Sequence, residues 1–527
     1  MDILISDLDI PIEKDGLDEY VKAVSERLKL FDPTLRILKI LSKSLDTSCK
    51  DQFYYRLSVV ARVPDGFKTK TDCPVYTEKP EVARKAKPFI ERPLIIGFGP
   101  AGMFAALEFL AHGIRPLIFE RGKKLEDRDA DVQRFIKERT LDPESNIQFG
   151  EGGAGAYSDG KLFSRAKNST HANRVLDTLI RFGAPEEIGY IRKPHLGTDV
   201  LCGIVRNIRS HILDRGGEIH YSSRMTDLLT SNGEVSGVVI NGKREVRSSS
   251  LYLATGHSAR DTFELLHKKG IALERKPVSV GVRIEHPSEL IRRIRYGDTY
   301  GSYSGLGAPA YSFHHTPRKT GRGVYTFCMC PGGEIVNASS ENGLLVLNGM
   351  SYHDRASEFS NSALIVSCPA EEDPSADPLA GIRFQEEIER KAFHAAGGGW
   401  KAPAQNLMDF LEGRLSAELN PNSYKMGTVP VDLNEILPKE IGEALIRAFG
   451  KWEGEEPLFV SEQAILLSPE TRTSSPVRIR RNKLFESVNM KNLFPIGEGS
   501  GYAGGITSSA MDAIKAVEQR LGLPEPA

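Results

Sequence analysis

One run constrains the fold more than any other: "PLIIGFGPAGMFAALEFLAHGIRPLIFERG", which begins at Pro93. It reads as an apolar strand, a glycine turn, an amphipathic helix and a second apolar strand that ends at Glu120. Gly97, Gly99 and Gly102 spell G-x-G-x-x-G at the strand-to-helix turn. The first glycine permits the tight turn and the second lets backbone approach a pyrophosphate. The third lets helix and strand pack closely, and the helix N-terminus adds partial positive charge. Glu120 sits about 20 residues further on, where an acidic side chain holds an adenosine ribose through its hydroxyls. A βαβ unit that binds a dinucleotide is the expectation.

A second glycine-rich stretch, "FGEGGAGAYSDGKLF" at 149–163, raises a competing reading. Residues 155–161 spell G-x-x-x-x-G-K, close to a nucleotide-triphosphate P-loop. That loop needs Ser or Thr after the lysine to ligate magnesium, and position 162 is Leu. It also follows a buried strand, whereas "DPESNIQ" is polar, and Asp159 adds negative charge where phosphates gather. Bare backbone packed against a dinucleotide explains these glycines better, with Ser158 and Lys161 as candidates to face its ring. A nucleotide-hydrolysing enzyme stays as a rival reading.

Further along, "LYLATGH" at 251–257 resembles the A-T-G motif of the glutathione-reductase-like FAD superfamily. "NLFPIGEGSGYAGGITSSAMD" resembles the second flavin motif of that superfamily. There the acid contacts the ribityl chain, and a helix N-terminus faces the flavin edge that becomes negative on reduction. With "SNIQFGEGGAGAYSDGKL", "FCMCPGGEIVNASSENG", "NGMSYHDR" and "ETRTSSPVRI", the chain resembles the uncharacterised FAD-dependent dehydrogenase family over roughly residues 90 to 520. The resemblance implies bound FAD and a redox role, with no particular substrate. It implies cofactor contacts from Gly97, Gly99, Pro100, Ala101 and Gly102, and from Glu120 and Arg121. Further contacts come from Gly152, Gly153, Gly155, Ser158, Thr255 and Gly256, then from Gly497, Glu498, Gly504, Gly505 and Ile506.

The expected architecture is α/β: a discontinuous Rossmann-like FAD-binding domain with an inserted α+β substrate domain and a small N-terminal α+β domain. Residues 1–63 form the N-terminal unit, in which "DEYVKAVSERL" reads as a helix and "QFYYRLSVVARV" as a strand. Residues 64–92 are rich in Lys, Glu, Thr and Pro and read as a linker. The FAD-binding domain takes 93–262 and 456–527, and the substrate domain 263–455. Only one G-x-G-x-x-G with its full context is present, which argues against a built-in NAD(P)H domain. NAD(P)H or another external electron donor or acceptor would then enter the substrate cavity transiently.

Lys161, Tyr502 and Arg472 are the candidate catalytic residues. A cation at Lys161 would stabilise an anionic reduced flavin; pairing with a neighbouring carboxylate is the alternative. Arg472 and Arg478 are candidates to hold an anionic substrate, with surface salt bridging as the alternative. Cys328 and Cys330 form C-x-C and could pass electrons as a disulfide. On a regular strand, however, they share one face as inert core thiols. His314 and His315 are adjacent and read as structural, and no metal site has ligand spacing.

A net charge of −1 gives no electrostatic case for nucleic acid or an anionic membrane. No apolar run approaches the ~20 residues of a membrane span. The acidic start lacks the features of a signal peptide, and six cysteines are too scattered for a disulfide scaffold. The cytoplasm is the expected location and a small molecule the expected partner. A rival reading makes FAD structural and the N-terminal unit a recruiter of protein or RNA.

Overall fold

A computed structural model describes residues 1–68, 72–78, 91–162, 169–317, 321–370 and 376–523. Most of the expected linker (69–71 and 79–90) and Phe163 lie outside the described residues. The short runs "LII", "LIF" and "LYL" are apolar throughout because they lie in a parallel sheet covered on both faces. Its order is Leu493–Pro495, Leu251–Leu253, Leu94–Ile96, Leu117–Phe119, Glu218–His220, all parallel. Helix Pro100–Ala111 is buried from Ala101 to Leu110 and packs against Ile506–Arg520. Segments at both ends of the expected insertion therefore build one sheet. The chain starts at its central strand, steps outward on one side and returns on the other. That reversal opens a crevice between Leu94–Ile96 and Leu251–Leu253 at their carboxyl ends, where open α/β sheets take ligands.

The run "GGEIHYSSRMTDLLT", uniformly strand-like in sequence, is divided. Ser222, with φ 49°, turns the chain between Glu218–His220 and Met225–Ser231. The second piece opens a three-stranded antiparallel sheet with Glu234–Ile240 and Arg244–Arg247.

The middle of the chain forms a seven-stranded sheet. Its order is His314–His315, Val324–Cys330, Phe359–Cys368, Val278–Pro287, Ile465–Glu470, Ala402–Asn406, Thr428–Pro430. Trp452, Phe449 and Phe459 are fully buried in its apolar core. Ile465–Glu470 was expected in the second part of the FAD-binding domain. Instead it pairs antiparallel with Val278–Pro287, its six residues all buried. A short apolar run is compatible with either sheet, so only the tertiary pairing assigns it.

At the N-terminus, Asp2–Pro11, Tyr54–Arg62 and Arg36–Asp46 form an antiparallel sheet in that spatial order, backed by helix Leu17–Leu28. The first and third of these strands were not singled out in the sequence. The unit meets the rest of the chain where Lys43 exchanges backbone hydrogen bonds with Tyr190 and Arg192. Phe53 stacks on Tyr300 with ring centroids 4.3 Å apart.

Candidate functional site

Three glycine turns meet at the carboxyl edge of the parallel sheet. Gly97 has φ +100°, and a Cβ there would lie 2.3 Å from the Ala254 carbonyl oxygen. A Cβ on Gly102 would lie 2.0 Å from the Gly97 oxygen. Both positions admit only hydrogen, as the fingerprint requires. Pro100 opens the helix, where a missing N–H costs no intrahelical bond.

Glu120 is buried, and its carboxylate is engaged by the chain itself. Oε2 accepts from the Phe98 amide at 2.7 Å, and Oε1 accepts from Gly122 at 2.9 Å and Gly150 at 3.0 Å. One side chain thus ties the fingerprint turn, the exit of the second strand and the glycine-rich segment together.

That glycine-rich segment lies across two helix N-termini. A Cβ on Gly153 would come within 3.0 Å of the Gly99 Cα, and one on Gly155 within 3.2 Å of Ile506. Arg128, fully buried, anchors the segment by donating to the carbonyls of Asn146, Ile147 and Glu151. It went unnoticed in the sequence, because an arginine in an ordinary amphipathic helix carries no signal. Ser158 Oγ donates to the Gly155 carbonyl and accepts from the Gly160 amide, so it holds the loop. No strand precedes these glycines, and Leu162 is buried, which removes the frame a P-loop needs.

Elsewhere on this edge the backbone faces open space. A Cβ on Gly256, Gly504 or Gly505 would meet nothing within 4 Å. Gly504 and Gly505 lead into helix Ile506–Arg520, whose first amides have no acceptor within the helix and no side-chain cap. Glu498 makes one long contact, accepting from the Gly505 amide at 3.4 Å. Gly152 lies against Val205, and Thr255 follows the strand Leu251–Leu253 on the same edge. Beside Glu120, a cleft of about 400 Å³ is lined by Arg121, Lys123, Ser222, Arg224 and Asn241, among others. Arg121 stacks over Phe149 at 4.0 Å and pairs with Glu144 and Asp261.

Lys161 sits in a cluster of titratable groups. Its stem is about one-third exposed, yet Nζ is buried with no hydrogen-bond partner and lies 3.4 Å from Asp159 Oδ2. Burial works against its charge, but the thiols of Cys328 and Cys330 and the Asp159 carboxylate outweigh burial and raise its pKa. Asp159, 1% exposed, also accepts from Ser351 Oγ at 2.6 Å and Arg355 Nη2 at 2.7 Å. His195, whose backbone bridges Lys161, stacks on His353 at 5.6 Å. Burial, then Arg355, pushes His195 down to about 4. Neither histidine nor Arg355 was visible as part of a site, since they come together only through the fold.

Arg472 is 6% exposed and committed to protein partners. It reaches both Glu389 oxygens, at 3.1 and 2.9 Å, Ser340 Oγ at 2.7 Å and Glu341 at 3.1 Å. Arg260 grips the same Glu389 from the other side, at 2.8 Å. The pairing is a salt bridge, but a buried one rather than the surface one expected as the alternative. Arg478 pairs with Glu274 at 2.8 Å. Tyr502 is 44% exposed, with the Arg481 guanidinium 4.2 Å over its ring. Among the described residues no cluster of His, Cys, Asp or Glu has the geometry of a metal site. No helix among them is long and apolar enough to cross a membrane.

Residues 277–473 match the family described as "FAD-dependent protein, C-terminal domain-like". A Clostridium beijerinckii protein described as "Uncharacterized protein" is 39% identical over 540 residues, spanning 100% of this chain and 100% of its own. Among solved structures, the 3-ketosteroid-delta4-(5alpha)-dehydrogenase of Rhodococcus jostii RHA1 aligns with 81% of this chain and 95% of its own. Its TM-score is 0.35 and its identity 13%. The E. coli quinol fumarate reductase FrdA aligns with 82% and 70%, at TM-score 0.36 and 12% identity. Likenesses this low carry no further weight. The relative that matches end to end and the domain at 277–473 do: the chain belongs to one family with the C. beijerinckii protein, and FAD is its cofactor.

Proposed function

We propose that this protein is an FAD-dependent oxidoreductase that moves a hydride between a small-molecule substrate and the flavin, an external acceptor or donor closing the cycle. One observation carries the reading. A lysine ammonium, buried and without a hydrogen bond, lies on the same glycine-rich segment that crosses the N-termini of Pro100–Ala111 and Ile506–Arg520. The residues present fit FAD, because backbone at Gly256, Gly504 and Gly505 faces space that a side chain would fill.

In this reading the amides after Gly99 receive the pyrophosphate, and Glu120 holds the turns in register and keeps a lone pair for the ribose. Glu498 and the amides from Gly505 and Ile506 take the ribityl chain and the ring edge. When bound, FAD supplies reversible two-electron chemistry. Lys161 stabilises negative charge that develops at the ring, at a place where protein excludes water and electrostatic effects are strong. Asp159 and Arg355 set its position, and the seven-stranded sheet covers the substrate cavity. Domain limits at 63, 92, 262 and 455 belong to the same proposal, with 465–470 transferred to the substrate domain. NAD(P)H, where it is the donor, enters through that cavity.

Colour and bleaching test it. The purified protein should be yellow and release FAD on denaturation. Under anaerobic conditions a panel of reduced small molecules and NAD(P)H should bleach it. A colourless protein that cannot be reconstituted refutes the reading, and a yellow one that none of the panel bleaches reduces FAD to a structural group.

A further inference from the structure

The C-x-C pair was expected to be inert on the condition that its strand is regular. That condition fails. Pairing of Val324–Cys330 with Phe359–Cys368 slips between Phe327 and Cys330, and Cys328 takes φ 43°. A left-handed conformation is strained for a residue with a Cβ and concentrates at functional positions. The two thiols also differ. Cys330 is fully buried, whereas Cys328 is partly accessible next to the exposed Phe327.

Their surroundings are cationic. The Arg283 guanidinium, itself fully buried, reaches the Cys328 carbonyl at 3.1 Å and Cys330 Sγ at 3.9 Å. Lys161 Nζ, which makes no hydrogen bond and lies 3.4 Å from Asp159 Oδ2, adds a positive charge that acts electrostatically on both thiols. The two nearby carboxylates are already occupied, Asp159 by Arg355 and Ser351, and Glu470 by Arg283. A hydrogen bond with Cys330, then the charges of Lys161 and Arg283, hold the Cys328 thiol below the usual range. The same hydrogen bond and burial push Cys330 up. Cys202 is instead raised to about 11, chiefly by desolvation and then by Asp129, which outweigh the opposing charges of Arg128 and Arg206.

We propose that Cys328 and Cys330 are a redox dithiol acting on a small disulfide, with Cys328 as the attacking thiolate and Cys330 as the resolving thiol. Cys328 attacks one sulfur of R–S–S–R, the S–S bond breaks, and the first R–S⁻ takes a proton from solvent. Cys330 then gives up its proton and attacks the Cys328 sulfur, and the second R–S⁻ leaves and is protonated. The substrate gains two electrons and two protons, and the pair becomes a disulfide. Its return to the dithiol takes two electrons and two protons from reduced FAD; only that return rests on the flavin reading above.

The test uses the FAD-loaded full chain carrying Cys49→Ser to remove the exposed thiol, reduced, desalted and mixed with glutathione disulfide. Both glutathione halves should appear as thiol, and mass spectrometry should find a 328–330 disulfide. Cys330→Ser should stop at a glutathione adduct on residue 328, and Cys328→Ser should do neither. Alkylation of Cys328 by iodoacetamide should have a pH midpoint below the ~8.5 of an ordinary thiol, moving upward in Lys161→Met. Exchange no faster than in Cys328→Ser, or an ordinary midpoint in the unsubstituted pair, overturns the proposal. FAD content is read in the same samples. Exchange without bound FAD would count against the flavin reading alone, and full FAD without exchange would sink the dithiol alone.

Discussion

Replacing Glu120 by Gln separates two roles that the fingerprint acid could have. The carboxylate accepts three backbone hydrogen bonds, one at Oε2 and two at Oε1. A glutamine amide has a single acceptor oxygen. If that oxygen faces Gly122 and Gly150, the NH₂ group opposes the Phe98 N–H across 2.7 Å. If it is flipped, two N–H groups lose their acceptor. The smaller loss is one charge-assisted bond with its buried donor left unsatisfied, about 2–4 kcal/mol. Because the chain has several separate hydrophobic clusters and need not unfold in one step, the quantity to follow is the calorimetric transition of the apoprotein that FAD shifts upward. In Glu120→Gln that transition should fall without any ligand present, and FAD affinity should fall with it. An apoprotein of unchanged stability that has lost only FAD affinity would refute the reasoning, and would leave Glu120 as a ribose ligand and nothing more.

Two glycine substitutions should behave oppositely. Gly97→Ala, which puts a methyl group 2.3 Å from a backbone oxygen at φ +100°, should lower apo stability and FAD content together. Gly504→Val, into open space, should lower FAD content by absorbance while sparing the apo transition. At Glu389, burial works to raise the pKa, but Arg260 and Arg472 outweigh it and hold the carboxyl at about 2. A depressed carboxyl stabilises above its unfolded pKa, so stability should drop as pH falls from 4.5 towards 2. Glu389→Gln should cost about 3–5 kcal/mol by leaving two buried cations with only the partly exposed Glu341 as a shared carboxylate, and should remove that acid-dependent part of the denaturation curve. Burial pushes His286 from 6.5 down to about 4, against the pull of its bond to the Phe459 carbonyl. Its neutral form is the folded one, so its contribution is complete above pH 6.5 and lost towards 4, and His286→Asn should flatten the pH profile of unfolding there.

Much of the candidate site was legible because its requirements are local. A glycine whose Cβ would strike a carbonyl four to six residues away in the same turn, as at Gly102, leaves its mark in consecutive sequence. So does a strand of three apolar residues buried on both faces. The cluster around Lys161 was not legible. Asp159 is two residues from Lys161 and was in view, but His195, Cys328 and Arg355 lie on separate segments and join them only through the tertiary fold.

The sequence by itself determined the βαβ unit, the two later glycine turns and the reasons no P-loop forms, since each follows from residue size and spacing within one short window. Tertiary structure alone decided that Glu120 binds its own backbone, that Arg472 is spent on Glu389, and that Ile465–Glu470 joins the other sheet. It also decided that the C-x-C strand is bulged, because a register slip depends on which strand lies alongside, and nothing within "FCMC" states its partner.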